Sequence, residues 1–105
     1  MPRGRRGEIW LIDLDLVQKT RPCLILSIDF LDHERAVVTY IPRTTHPRQT
    51  RFEVVHLARG FESGVFDVQG VGTIPVVKLE KCVGVLEPAI VHQVEAALKK
   101  WLALS

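Results

Sequence analysis

A small, mainly β domain closed by a single C-terminal helix is the fold class this sequence predicts. Three observations predict it. Short runs rich in β-branched and aromatic residues follow one another from Gly7 to Val85, the make-up a pleated, half-buried surface favours. Glycines break into the later runs at Gly70 and Gly72, where a sheet bends or carries a bulge. Only the last stretch, after Glu87-Pro88, has a helical period. Strands of this kind with glycine corners suit a small closed or half-closed barrel, with the helix over one opening.

Each element has its own signal. Residues 1–6 form a basic arm without apolar anchors and are expected to be loose. GEIWLIDL from Gly7 alternates so that Ile9, Leu11 and Asp13 point one way and Trp10, Ile12 and Leu14 the other. That pattern describes a strand covered on both faces. Leu16–Thr20 is a short polar connection, and PCLILSI from Pro22 is the second strand. Its proline stands where no ladder hydrogen bond is lost. Asp29–Glu34 reads as a turn, Ala36–Ile41 as the third strand and Arg51–His56 as the fourth. Val65–Val71 and Ile74–Val85 alternate as further strands. In the helix, Pro88 occupies the tolerated first turn. Ile90, Val94, Leu98 (or Ala97), Trp101 and Leu104 share a face, and Glu95 to Lys99 is a favourable i,i+4 pair.

The chain has 105 residues, 47% of them hydrophobic and 25% charged. That is one domain, residues 1–105, without repeats or linkers. A core this small gains from burying a face against a second copy, so a homodimer is expected. The net charge of +2 is too mild to declare a nucleic-acid binder. Distribution says more: Arg3, Arg5 and Arg6 crowd the start, and Arg43, Arg48, Arg51 and Arg59 the middle. Local field steers an anionic partner more than net charge does. Cys23 and Cys82 lie in apolar runs without ligand spacing, so two buried, reduced thiols are expected rather than a bridge or a metal site. No apolar run reaches the roughly 20 residues a membrane span needs. MPRGRRGEIW lacks the apolar core of a secretory signal, which leaves a cytoplasmic protein as the expectation.

The stretch with most chemical content is AVVTYIPRTTHPRQTRFEVVH, residues 36–56. Between its two strands it carries two hydroxyls (Thr44, Thr45), an imidazole (His46) and three guanidiniums (Arg43, Arg48, Arg51). Pro42 and Pro47 stiffen the loop. Fixed hydroxyl donors beside forked cations suit a phosphodiester. A solvated basic loop between two strands is the bland alternative.

The chain resembles the MazF/PemK/Kid toxins of bacterial toxin–antitoxin pairs. RGEIWLIDL (residues 6–14) is similar to that family's opening strand, TRPCLILS (20–27) to its second, and YIPRTT (40–45) to its third strand end. The resemblance implies a small SH3-like barrel of the MazF/Kid/CcdB type that forms homodimers. It implies metal-independent cleavage of single-stranded RNA, chiefly mRNA, without a cofactor, under the control of a cognate antitoxin. The family's arginine in its RP motif falls on Arg21 and its threonine on Thr44, with Thr45 on a neighbouring hydroxyl position. In such cleavage the 2′-hydroxyl attacks the adjacent phosphorus, leaving a 2′,3′-cyclic phosphate and a 5′-hydroxyl. Donors aimed at the charge building on the non-bridging oxygens lower the barrier most. Arg21 offers a permanently charged fork and Thr44 a second donor.

For the general base two candidates stand open. Glu8 lies in the family-like opening strand, and His46 carries an imidazole, the side chain most often used for proton transfer. Glu8 would serve equally as a carboxylate holding Arg21 in place. Lys19, Arg43, Thr45, Arg48, Arg51 and Gln69 are the expected RNA contacts, which position the backbone without choosing its sequence. The chain departs from the pattern in two places. The connection DLVQKTRP is shorter than the family's gated loop, and Gln69 is followed by Gly70-Val71-Gly72 where many relatives have a second arginine. A non-catalytic module is therefore the competing expectation, either a gyrase poison like CcdB or a binder of single-stranded nucleic acid.

Overall fold

In the computed structural model, residues 3–14 and 20–105 are described. The strands are β1 (Glu8–Asp13), β2 (Thr20–Ile25), β3 (Val37–Thr44), β4 (Glu53–His56), β5 (Gly64–Asp67), β6 (Gly72–Pro75) and β7 (Leu79–Val85). The helix is α1 (Pro88–Trp101), and short 3-10 turns occupy Val68–Gly70 and Val76–Lys78. These turns fall where one strand each was expected over Val65–Val71 and Ile74–Val85. Gly70 and Gly72 mark the break, and the first of them has a packing reason. A Cβ on Gly70 would stand 2.7 Å from the Pro42 ring.

Antiparallel pairing runs in the order β4-β5-β3-β2-β1-β7, with β6 on another part of β3. The mainly β fold with one C-terminal helix is as expected. β4 and β7 do not pair with each other among the described residues, so of the expected closed or half-closed barrel the closed form is not the one adopted. Strand β3 organises it by changing partners along its length. Val37–Tyr40 pair with β6, whereas Arg43 and Thr44 pair with Phe66 and Val65 of β5.

Apolar side chains on both faces of the central strands are covered, as the continuous apolar runs require. Ile9, Leu24, Ile41 and Phe66 pack with Val91, Val94 and Ala97 of α1. On the other face Ile12, Cys23, Ile25, Val38 and Leu79 form a second cluster, flanked by Trp10 and Leu14. The expected split of β1 into two covered faces therefore holds. The buried ridge of α1 is Val91-Val94-Ala97, with Ile90 and Leu98 beside it, so Val94 and Ala97 fall on the expected line and Val91 takes the central place expected of Ile90. Trp101 meets Phe52 at a tilt of 58°, 5.3 Å between ring centres, and Leu104 lies beyond the helix, exposed.

Three further expectations are corrected. The basic arm is pinned from Arg3 onward: Arg3 donates to the Leu79 carbonyl at 2.6 Å and lies over the Trp10 ring. Arg6 bonds the Leu26 carbonyl and forms an ion pair with Glu95, which thus pairs across the fold instead of serving Lys99. Cys82 is exposed because β7 is an edge strand, so only Cys23 is a buried thiol. No described helix is long and apolar enough to cross a membrane.

Candidate active site

Strand register brings the two leading residues together. In the β2–β3 pair Cys23 faces Pro42 and Leu24 faces Ile41. Continuing by two residues sets Arg21 opposite Thr44. Directly opposed residues share a face of the sheet, and both side chains line one cleft of about 160 Å³. Pro22, Arg43, Thr45 and His46 complete its wall.

Residues Pro42–Thr44 belong to β3 and not to the loop expected there. Thr39 shows how a proline is accommodated. Its N–H donates to Ser27 Oγ and its carbonyl accepts from Leu26 N, so both point toward β2. By alternation the nitrogen of Pro42 points away from β2, into the gap where β3 passes from β6 to β5. No ladder bond is lost at the proline, and the strand runs on.

That extension separates Arg43 from Thr44, because consecutive side chains point to opposite faces. Arg43 turns inward and is only 4% exposed. Its Nε donates to His56 Nδ1 at 2.8 Å, and its Nη2 to the carbonyls of His56 (3.0 Å) and Glu62. The guanidinium rests over Phe61, 5.2 Å from the ring centre. Burial lowers its pKa somewhat. Burial first, then the Arg43 charge, depresses the His56 pKa, against a weaker pull from Glu87. The guanidinium expected to contact phosphate is thus committed to the interior.

Thr44 keeps its hydroxyl in the cleft in a defined role. Its Oγ1 accepts from the His46 backbone N–H at 3.1 Å, closing a small turn. An oxygen that accepts there still has its own hydrogen to donate. His46 is exposed at the rim, with Nδ1 3.4 Å from Thr45 Oγ1. Cys23 lies behind Arg21, and burial pushes its thiol up to about 12 despite the Arg21 charge. It is therefore a packing residue and no nucleophile.

Glu8 is absent from the cleft. Arg21 pairs with Ile12, whereas Glu8 is four residues back along β1, a separation of about 13 Å at 3.3 Å per residue. Its carboxylate accepts from Trp10 Nε1 (2.9 Å) and Arg5 N (2.8 Å). Glu8 therefore lies outside the cleft, and of the two candidates His46 is the one that lines it. Lys19, with the connection at 15–19, lies outside the described residues.

The remaining expected contacts do not line the cleft. Arg48 and Arg51 are exposed on the loop leaving it, Arg51 lying over Phe52. Glu53 folds that loop by accepting the N–H groups of Arg48 and Thr50. These bonds, Arg48 first, hold the Glu53 carboxyl below its usual range. Gln69 is exposed on the 3-10 turn beside Gly70. Among the described residues no group of three or more His, Cys, Asp or Glu side chains is placed to hold a metal ion.

Comparison with known proteins fits this geometry. The family model of PemK-like, MazF-like toxins of type II toxin–antitoxin systems matches residues 5–102, and the chain belongs to that family. The Mycobacterium tuberculosis toxin MazF-mt6 superposes with a TM-score of 0.79 at 27% identity, over 93% of this chain and 98% of the other. An endoribonuclease from a mycobacterial species, solved in complex with its cognate antitoxin, gives 0.82 at 24% identity, over 96% of each chain. MazF in a MazE–MazF complex from Deinococcus radiodurans also gives 0.82, at 19% identity and 96% of each chain. The last two speak to the fold alone.

Proposed function

We propose that this toxin is an endoribonuclease that cuts single-stranded RNA, chiefly mRNA, without a metal ion. The observation that carries the reading is the convergence of Arg21 and Thr44, from neighbouring strands, on one cleft. The 2′-hydroxyl is a nucleophile built into the substrate, so no water has to be activated. The protein's task is then to orient the linkage and to stabilise the charge gathering on phosphorus. Arg21 supplies a planar fork for two non-bridging oxygens, and the Thr44 hydroxyl hydrogen a further donor. An arginine gives up its proton too reluctantly to act as the acid. His46 at the rim is the remaining imidazole for proton transfer. The 2′-hydroxyl gives up its proton as the O2′–P bond forms, P–O5′ breaks, and the leaving O5′ takes up a proton, so that one proton passes in net from O2′ to O5′. The products are a 2′,3′-cyclic phosphate and a 5′-hydroxyl.

Thr45 in the cleft wall and the exposed Arg48, Arg51 and Gln69 outside it are assigned to the flanking RNA backbone. In this reading the chain works as a homodimer in the cytoplasm. A cognate antitoxin with an acidic tail occupies the same cleft when the toxin is silent. A second reading, RNA binding without cleavage, is favoured by one observation: Glu8 does not reach the cleft.

Purified protein with unstructured RNA in EDTA separates the two. Wild type should leave cyclic-phosphate ends, and Arg21→Ala should lose about 10²–10³-fold in rate. Equal cleavage by both proteins removes Arg21 from the mechanism. A gel shift with intact RNA selects the second reading.

A further inference from the structure

We propose that Arg43 is a positioning residue for the reaction, a buried guanidinium that fixes the Thr44 hydroxyl from the opposite face of the sheet. The inference rests on the ribonuclease reading of the cleft. An interior cation is costly, and an apolar side chain of similar size in its place is often no worse for stability. Here the guanidinium's hydrogen bonds go to uncharged groups, an imidazole nitrogen and two carbonyls, and the pull of the Glu62 carboxylate is outweighed by the cost of burial. Stability alone is a poor reason for an arginine at this position.

Geometry supplies a better reason. Thr44 is the last residue of β3, and strand ends open most readily. From the adjoining residue, the Arg43 fork reaches His56 at the end of β4 and Glu62 just before β5. One side chain thereby ties together the ends of three chain segments. His56 is wedged by Phe61 and Phe66, 5.1 and 5.0 Å away between ring centres, so the acceptor is itself held. Gly64 lies against the same point. A Cβ there would stand 2.6 Å from the Thr44 carbonyl oxygen and 2.8 Å from Arg43 Nη1. Gly64 of β5 thus lies against both the Thr44 carbonyl and the Arg43 guanidinium, next to the Thr44–Val65 pair, while Thr44 lines the cleft.

A lysine keeps the charge but loses the fork, and His56→Leu removes the acceptor of Nε. His56→Asn puts an oxygen where Nδ1 stood. The test measures single-turnover cleavage at saturating RNA, affinity for the same RNA with a 2′-O-methyl group at the cleaved position, and melting temperature. Arg43→Lys and His56→Leu are expected to slow cleavage about ten- to hundredfold, the scale for displacing a catalytic group by an ångström. Affinity for the blocked RNA should stay within about twofold, and His56→Asn should restore most of the rate. Unchanged cleavage by Arg43→Lys and His56→Leu overturns the inference. So does a parallel loss of affinity, which would make Arg43 an RNA contact. Collapse of both variants would assign Arg43 to the fold and overturn it as well. A wild type that cleaves no RNA refutes the functional reading, and this inference with it.

Discussion

Gly64→Ala is expected to damage cleavage far more than its cost in stability would suggest. The added Cβ would lie 2.6 Å from the Thr44 carbonyl oxygen, 2.8 Å from Arg43 Nη1 and 3.0 Å from its Cζ. Carbon and carbonyl oxygen ordinarily approach to about 3.3 Å, so β5 and β3 must part by roughly 0.7 Å at the residue carrying the hydroxyl. Overpacking of this kind costs about 1–3 kcal/mol, and each kcal/mol lowers Tm by about 4–8 °C in a domain this small. A near-ångström displacement of Thr44 should cut the single-turnover rate about ten- to hundredfold. Gly60→Ala is the control. Its φ of +88° strains any side chain, yet a Cβ there meets nothing within 4 Å. It should lose about 1–2 kcal/mol and retain its rate. Thermal melts and cleavage of a fluorogenic RNA are run on both variants. If Gly64→Ala cleaves like wild type, or loses no more than Gly60→Ala at a similar Tm, then β5 does not set the position of Thr44.

Other expectations concern the interior and the thiols. His56 has a depressed pKa in the fold, so the unfolded chain binds more protons between that value and about 6.5. Its contribution to stability is complete above about pH 6.5 and is lost as the pH falls through the folded-state value, with a slope of at most about 1.4 kcal/mol per pH unit. Urea melts across mildly acidic pH should show that slope in wild type and a shallower one in His56→Asn; parallel slopes contradict it. Val94→Ala empties part of the sheet–helix core, where Val94 is fully buried. Denaturant titration should show a loss of about 1–3 kcal/mol, and a loss under 0.5 kcal/mol would mean that α1 packs differently. In the folded protein a thiol reagent should label Cys82 quickly and leave Cys23 untouched until unfolding. Two fast equivalents would contradict the burial of Cys23.

What the sequence made legible, and what it did not, follows from the reach of each signal. Arg21 and Thr44 stood out through the resemblance of TRPCLILS and YIPRTT to the family's strands, and each sits by the end of a strand that its own neighbours announce, Cys23–Ile25 in one case and Val37–Ile41 in the other. Two faces of β1 were readable from simple alternation. Arg43 was misjudged because Pro42 looked like the end of a strand. Only the pairing of β3 with β6 on one stretch and β5 on the next creates the gap its nitrogen needs. Glu8 was misjudged because nearness in a motif is not nearness in space: along β1 it recedes from Arg21 with every residue. His56 and Gly64 carried no local signal, since their partners come from other strands. The arm at residues 3–6 is held by Leu79, Leu26 and Glu95, and the first and last of these contacts span most of the chain. Exposure of Cys82 depends on β7 being an edge, a property of the whole sheet.

A double-variant cycle on Arg21→Ala and Thr44→Val, read as single-turnover rates on one RNA, probes the heart of this account. Two donors acting on the same phosphorus should couple, so the double variant should be faster than the product of the two single losses predicts, with an interaction energy of about 0.5–3 kcal/mol. Losses that multiply independently, or a Thr44→Val enzyme as fast as wild type, would mean that the two side chains do not share one scissile linkage.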